Sequence, residues 1–146
     1  MNSDQYIEER LDPQIEWYDQ KSMRNQKNFK RLRTIEIGLA GSIPFLIGYV
    51  TDERPAMGFI VGVTGVAVAF VSGILALYQY QEHWIQYRTT CETLRHQKIR
   101  FQTKAPPYTG SDAFHILVEN VEAIISKENT SWSKKSQTQQ KENPHG

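Results

Sequence analysis

The sequence predicts an all-α membrane protein, in which a two-helix transmembrane hairpin extends into the cytoplasm as an antiparallel helical pair and is followed by a C-terminal amphipathic helix. Residues 55–81 contain no Asp, Glu, Lys, Arg or His, and a helix needs only about 20 residues to cross the hydrocarbon core. Apolar residues are concentrated in the middle third of the chain, so the mean hydropathy of −0.55 hides an apolar centre between polar flanks. In both flanks, apolar residues recur at helical spacing.

Composition and motifs exclude several function classes. The 146 residues suit one domain, and a net charge of +1 gives no electrostatic argument for binding nucleic acid. Because Cys91 is the single cysteine, neither an internal disulfide nor a cysteine-based zinc site can form, and the four histidines lack metal-ligand spacing. Phosphate-binding loops and nucleophile elbows are also missing from the sequence. We therefore expect no enzymatic activity, no cofactor and no bound metal.

Residues 1–33 are predicted to form an N-terminal cytoplasmic helix. Ser3 or Asp4 can cap a short first turn, and Asp12 followed by Pro13 resembles a second cap, from which a helix can run into the membrane. Seven residues then follow a coiled-coil-like stripe with a polar middle: Leu11, Ile15, Tyr18, Ser22, Asn25, Phe29 and Leu32.

Residues 34–80 are predicted to form the transmembrane hairpin, with spans at about 34–51 and 56–78. The charge-free part of the first span, 37–51, is short, and it suffices if Arg33 and Glu36 reach the headgroups. The segment TDERP between the spans allows only a tight turn, and Pro55 suits the first turn of the second helix. A soluble buried hairpin is the weaker alternative, since the remaining chain has little apolar surface to cover it.

The charges near the spans predict the orientation. Six basic residues precede the first span and four follow the second, whereas the connecting loop has only Arg54, beside two acids. By the positive-inside rule, both termini are cytoplasmic in a multi-pass plasma-membrane protein. An aromatic belt is expected at the cytoplasmic end of the second span, formed by Tyr78, Tyr80, Trp84 and Tyr87.

Small residues recur at spacings of three and four along both spans. Since lipid tails are as apolar as leucine, close backbone approach rather than apolar burial drives helix association in a bilayer. These faces therefore predict helix packing or oligomerisation, against either the other span or a neighbouring subunit. The residues concerned are Gly38, Gly41, Gly48, Gly58, Gly62, Gly65, Ala69 and Ser72.

A few polar or special residues in the hairpin are candidates for an ion pathway: Glu36, Ser42, Pro44, Asp52, Glu53 and Thr64. Each has a plainer interpretation. Glu36 can pair with Arg33 or Arg31, Pro44 can serve packing instead of a gating hinge, and Thr64 can bond back to its own helix. The two acids of the turn form either an acidic ring in an oligomer or a solvated loop.

Residues 81–128 are predicted to form the cytoplasmic helical extension and the C-terminal amphipathic helix. The segment APPYTG, 105–110, separates the two helices, and Ser111 or Asp112 caps the second. That helix is expected to pack on the extended pair or on a neighbour, with Cys91 as a core residue. Residues 129–146, rich in Ser, Gln and Lys, are expected to be a disordered tail. The apolar face of the last helix consists of Phe114, Leu117, Val118, Val121, Ile124 and Ile125.

The layout resembles the SLATT domains, small bacterial two-transmembrane proteins. The segments that carry the resemblance are EWYDQKSMRNQKNFKRLR before the hairpin, WIQYRTTCETLRHQKIRF after it, and PPYTGSDAFHILVENVEAIISKENTSW at the end. The resemblance implies an effector of the bacterial inner membrane that oligomerises and breaches the membrane when a nucleotide-sensing partner signals. The matching positions are aromatic and charged residues, to which we assign a structural role in joining the helices near the membrane interface.

Two functions follow as hypotheses from these features. One is a channel or pore. It would have to be oligomeric, because two helices alone cannot enclose a pathway. The other is a membrane-anchored adaptor, whose cytoplasmic helices recruit a protein partner while the hairpin only anchors it. In both, the expected partners are membrane lipid and further copies of the chain, and not nucleic acid.

Overall fold

The computed structural model describes residues 1–142, and within this range all regular secondary structure is helical, without strands. The predicted all-α class is therefore confirmed. The helices are α1 (Ser3–Tyr6), a π-helical turn (Ile7–Leu11), α2 (Asp12–Ile47), α3 (Pro55–Tyr78), α4 (Tyr80–Gln102) and α5 (Ala113–Glu142).

The chain divides into two compact units. One unit, called the bundle below, combines Met1–Gln20 with the chain from Tyr87 onward. The other, called the apolar unit, is Lys21–Gln86. Helices α2 and α4 contribute residues to both units.

The first turns of the bundle differ from the predicted caps. Asn2, rather than Ser3 or Asp4, caps α1, since its Oδ1 accepts the N–H of Gln5 at 2.8 Å. Asp12 is the first residue of α2 but does not cap a separate helix, because the π turn runs directly into α2 and the N–H of Asp12 bonds to the carbonyl of Ile7. The wider turn accommodates Pro13, which has no N–H to donate, without ending the helix.

The bundle has a single apolar core to which the beginning of the chain, α4 and α5 all contribute. Leu11, Leu94 and Leu117 have no exposed surface, and neither has Cys91. The last helix thus shares a core with the N-terminal segment and α4, and Cys91 is a core residue as expected. The complete set of buried apolar residues is Tyr6, Ile7, Leu11, Ile15, Tyr18, Cys91, Leu94, Tyr108, Leu117, Val121 and Ile125.

The connection between α4 and α5 contributes an aromatic residue to this core. Tyr108 is only 1% exposed, and its ring packs edge-to-face on Phe101 at 5.8 Å. Its hydroxyl donates to Gln97 Oε1 and accepts from Asn120 Nδ2 at 3.0 Å. The break predicted at APPYTG is therefore present, and it fixes α4 to α5 through a buried and fully satisfied phenol.

Helix α5 extends further than the sequence pattern indicates. The segment 129–146 was expected to be disordered, but α5 continues to Glu142. Lysine, glutamine and glutamate are good helix formers and no Gly or Pro interrupts the chain before Pro144, so a polar composition alone does not end the helix. Residues 143–146 lie outside the described part of the chain.

The apolar unit contains the rest of α2, all of α3 and the start of α4. Helix α2 ends at Ile47, about four residues before the predicted end of the first span, and its last turn is closed by N–H groups of Tyr49 and Val50. Helix α3 begins at Pro55, in the first-turn position predicted for it. No residue of α3 is buried.

The helix after residue 55 is not continuous with the polar helix that follows it. Gln79 adopts left-handed backbone angles, with φ 46° and ψ 41°, and ends α3. The rings of Tyr78 and Tyr80 on either side of it stack at 5.5 Å. The predicted extension of the second span into a polar helix is therefore interrupted by one residue in a conformation that usually selects glycine or asparagine.

Candidate functional site

Glu36 connects α2 with α3 in the apolar unit. Its carboxylate accepts a bond from Arg33 Nη1 at 2.6 Å, one turn earlier in the same helix. The Oγ of Ser72 on α3 donates to the other carboxylate oxygen. The predicted pairing with Arg33 is therefore present, and the hydrogen bond to Ser72 was not anticipated. A charge in an apolar region is stabilised by such partners.

The hydroxyl groups of the proposed pathway are bonded to their own helices. Ser42 Oγ donates to the Leu39 carbonyl at 2.7 Å, and Thr64 Oγ1 donates to the Ile60 carbonyl at 2.9 Å. This is the plainer interpretation given for Thr64, since such back-bonding satisfies a hydroxyl without a second helix.

The remaining pathway candidates lie near the connection between α2 and α3. Pro44 lies in the last turn of α2, which ends three residues later, rather than in the middle of a long span. Asp52 and Glu53 are exposed in the 48–54 connection, where the backbone turns through the bond from Arg54 N–H to the Thr51 carbonyl at 2.9 Å. The structure does not bring these residues together with Glu36 in one cluster.

The small-residue faces are open within this chain. Six of the eight predicted packing residues are exposed, whereas Gly65 and Ser72 are partly buried. A Cβ atom added at Gly38, Gly41, Gly58, Gly62 or Gly65 would meet no heavy atom within 4 Å, and one at Gly48 would meet only the Phe45 carbonyl at 3.4 Å. The other helix of the same chain contacts these faces at Ser72, which bonds to Glu36, but leaves the space beside the five glycines Gly38, Gly41, Gly58, Gly62 and Gly65 empty.

Other residues form the partly buried faces of the two helices. On α3 they lie one position before the small residues, and on α2 they lie two positions before them. Both sets keep a three-four spacing, which a search for Leu, Ile and Val repeats could have found beside the glycine repeat. They are Phe29, Leu32, Glu36, Leu39, Ile43 and Leu46 on α2, and Met57, Val61, Thr64, Val68, Val71 and Leu75 on α3.

In the bundle, charged pairs fasten the N-terminal segment to α5 and α4. Arg10 Nε and Nη2 each contact one oxygen of Glu122 at 3.1 Å, and Tyr6 donates to the same carboxylate at 3.2 Å. The hydrogen bond from Arg10 is the main cause of a lowered pKa of Glu122. Lys98 Nζ lies 2.6 and 2.8 Å from the two oxygens of Asp12.

A third set of charges surrounds Asp19 beside the core cysteine. Its carboxylate lies 3.7 Å from Arg88 and 3.4 Å from Arg95. The Sγ of Cys91 lies 3.5 Å from the carbonyl of Ile15, and burial raises the pKa of this thiol. A buried, protonated thiol is a poor nucleophile.

The described residues contain no group of three or more His, Cys, Asp or Glu side chains that could hold a metal ion. Among the described residues, the stretch Pro55–Gln102, which comprises α3 and α4, contains a segment long and apolar enough to cross a membrane by length and composition. The mean hydropathy of that segment is 2.4, and none of it is buried within the chain.

The comparison with known proteins gives one match. A family model described as "Protein of unknown function (DUF4231)" matches residues 13–114, which include α2, α3, α4 and the connection to α5. Curated proteins and solved structures give no match. Because the matched segment covers more than two thirds of the sequence, the chain belongs to the DUF4231 family, whose function is unknown.

Proposed function

We propose that the apolar unit is a transmembrane hairpin and that the protein functions as an oligomeric channel or pore. The exposure of α3 is the observation that supports a transmembrane hairpin. Its most apolar segment has a mean hydropathy of 2.4, yet none of it is buried. The core helix of a soluble protein would be covered by its own chain, and an uncovered apolar surface of this extent marks a membrane or an interface.

The first span of this hairpin is the end of α2. Residues 34–47 extend about 21 Å at the rise of an α-helix, which is less than the roughly 30 Å of a hydrocarbon core. Flanking basic side chains can bridge the remainder by reaching the headgroups. Glu36 enters the apolar region already paired with Arg33 and bonded to Ser72, which reduces the cost of its charge.

The open glycine faces support oligomerisation. Within a bilayer, a glycine face gains free energy when another backbone approaches it closely, and no other part of the chain lies within 4 Å of a Cβ added at five of these glycines. A second copy in the same membrane offers the complementary face. Several hairpins around one axis would enclose a pathway, to which the acidic turn at Asp52 and Glu53 would attract cations.

The test replaces Gly62 and Gly65 with leucine. We expect Gly62→Leu/Gly65→Leu to abolish oligomers in detergent and conductance in planar bilayers, because two leucine side chains would hold the backbones apart. The matched control is Val63→Leu/Val66→Leu on the same helix, where both valines are exposed outside the glycine face. Equal oligomers in both double variants would refute the packing proposal.

The topology is tested separately. By the charge distribution, both termini face the cytoplasm of a bacterial cell and the 48–54 connection faces the periplasm. In a Cys91→Ala background, a cysteine at Asp52 should react with an impermeant maleimide in intact cells, whereas one at Lys134 should react only after lysis. The opposite pattern would overturn the orientation. Equal reactivity of the two sites in intact cells would overturn the hairpin, because α3 would then not separate them.

A membrane-anchored adaptor is the second candidate, and the separate bundle favours it. The bundle has its own buried core and three sets of charged contacts, so it can present a defined cytoplasmic surface. An adaptor would keep its activity after the hairpin is exchanged for an unrelated one, and its oligomers would carry no current. A channel would lose its activity in the same exchange.

The resemblance to SLATT domains gives the proposed physiological setting. It suggests a bacterial inner-membrane effector that a nucleotide-sensing protein activates. Co-purification of such a partner with the full chain, lost when the bundle is disrupted but kept when Gly62 and Gly65 are replaced, would support this setting and separate partner binding from pore formation.

A further inference from the structure

The open glycine face of α2 continues toward the start of the helix as a row of basic residues. Arg24, Lys27 and Arg31 lie three and four positions apart, and the same spacing leads on through position 34 to Gly38 and Gly41. Residues at this spacing share one side of an α-helix. All of these residues are exposed. One side of α2 therefore presents glycine at one end and three cations, called the basic row below, at the other.

The charges of the basic row are not balanced by acids within the described part of the chain. No carboxylate there lies within ion-pair distance of Arg24, Lys27 or Arg31. The sequence has no Asp or Glu from position 20 to position 35, and Glu36 already pairs with Arg33 at 2.6 Å. Because exposed cations of this kind attract anions, the basic row is a surface for a negatively charged ligand.

The height of the row along α2 indicates that this ligand is a lipid headgroup. Within the proposed transmembrane hairpin, the contact between Glu36 and Ser72 sets the register of α2 against α3. Six residues, or about 9 Å, toward the cytoplasmic side from each of them lie Lys30 on α2 and Tyr78 on α3. Tyr78 belongs to a stacked pair of tyrosines, and tyrosine is enriched at the headgroup level of a membrane. The basic row begins beside Lys30 and therefore starts at that level.

The same side of α2 is the one proposed to contact another copy through its glycines. Each copy adds the same three cations to the same side of the membrane, so the rows of neighbouring copies repel each other unless they are neutralised. Phosphate groups of anionic lipids at this height would neutralise them. A zwitterionic lipid carries the same phosphate together with an ammonium group, so it would neutralise the rows less.

We propose that the basic row binds the phosphate groups of anionic lipids, and that these lipids thereby strengthen the contact between copies. Arginine and lysine bind phosphate oxygens through charge-assisted hydrogen bonds, and basic residues beside a membrane span attract anionic headgroups. The proposal rests on the proposed transmembrane hairpin and names the lipid class that its cytoplasmic end binds. It also makes the oligomer depend on membrane composition, which glycine packing alone does not require.

The experiment is native mass spectrometry of the full chain in a maltoside detergent, with either phosphatidylglycerol or phosphatidylcholine added. We expect the wild type to bind phosphatidylglycerol about tenfold more tightly and to form more oligomers with it, a preference that corresponds to about 1.4 kcal/mol. Lys27→Gln/Arg31→Gln should lose this preference, whereas Lys27→Arg/Arg31→Lys, which keeps both charges, should retain it. The matched control is Lys104→Gln/Lys127→Gln, which removes two exposed cations of the bundle.

Circular dichroism of each variant establishes that the helices are retained. Equal binding of the two lipids to the wild type, or an equal loss of preference in both glutamine variants, would overturn the proposal. Oligomers that form equally with both lipids would also overturn it but would leave the channel proposal intact. Monomers with both lipids would overturn both proposals. Soluble glycerol phosphate should not raise the oligomer fraction, and an effect equal to that of phosphatidylglycerol would overturn lipid as the ligand.

Discussion

The contact between Arg10 and Glu122 offers a test of how the N-terminal segment is held on α5. The change is Glu122→Gln, which keeps the size of the side chain but removes its charge. In the native bundle, Glu122 accepts bonds from Arg10 and Tyr6 at 3.1–3.2 Å. The side chains of the Arg10–Glu122 pair are 44% and 43% exposed, so solvent screens much of their attraction. We expect a loss of about 0.5–1 kcal/mol of unfolding free energy at neutral pH, as for good surface pairs.

The pH dependence follows from the direction of the shift. The hydrogen bond from Arg10 lowers the pKa of Glu122 in the folded protein below its ordinary value of 4.5. A lowered carboxyl pKa gives stability that is fully present above the unfolded value and is lost as the pH falls through the folded value. The difference between wild type and Glu122→Gln should therefore be present at pH 7 and shrink below pH 4.5.

Urea unfolding in detergent, followed by circular dichroism at neutral and acidic pH, measures both quantities. A double-mutant cycle with Arg10→Gln isolates the pair, and Glu119→Gln serves as the control for removing an exposed acid from α5. If the loss were equal at pH 3 and pH 7, or if the cycle showed no coupling, then charge pairing would not hold the N-terminal segment in place.

Three further predictions concern the bundle and the break after α3. The thiol of Cys91 should resist a soluble disulfide reagent in the native protein and react quickly in denaturant, because it is fully buried and its pKa is raised; fast native labelling would contradict this. Leu117→Ala should lower the free energy of unfolding by about 2–5 kcal/mol in urea titrations, since Leu117 has no exposed surface. Gln79→Gly should raise thermal stability by relieving about 1 kcal/mol of left-handed strain, and a lower midpoint would show that φ is not positive there.

Helical periodicity predicted which faces of the long helices are buried in the bundle. The first three residues of the stripe, Leu11, Ile15 and Tyr18, and the face around Leu117 lie in the core, because a three-four repeat presents one apolar face. Local departures from regular α-helix could not be predicted from this periodicity. The π turn before Pro13 and the left-handed Gln79 depend on backbone details that side-chain patterns do not encode.

The candidate site was predicted less completely, for a physical reason. Helices α2 and α3 each carry two overlapping three-four repeats, one rich in small residues and one of mostly larger residues. Sequence periodicity identifies both faces but does not say which is covered by the same chain. The link between Glu36 and Ser72 was missed similarly, since the two residues are 36 positions apart and their contact depends on the relative depth of α2 and α3.

The positions of the two glycine faces lead to a prediction about how copies would assemble. On α3 the glycine face lies one residue, or about 100°, from the partly buried face, and on α2 it lies two residues, or about 200°, from it. The two open faces therefore belong to different sides of the hairpin, so α2 of one copy should meet α3 of the next. Contacts of this head-to-tail kind form a ring when the rotation between neighbouring copies closes.

The contact between Glu36 and Ser72 sets the register of α2 against α3. Gly38 on α2 and Ala69 on α3 therefore lie at nearly the same height along the two helices. In a Cys91→Ala background, a mixture of Gly38→Cys and Ala69→Cys chains should form disulfide-linked dimers on mild oxidation in membranes, and neither variant alone should do so. The matched control mixes Ile37→Cys with Phe70→Cys, two exposed positions beside the same faces. Cross-linking of Gly38→Cys with itself would instead indicate a two-fold contact between α2 helices, which pairs copies without building a ring.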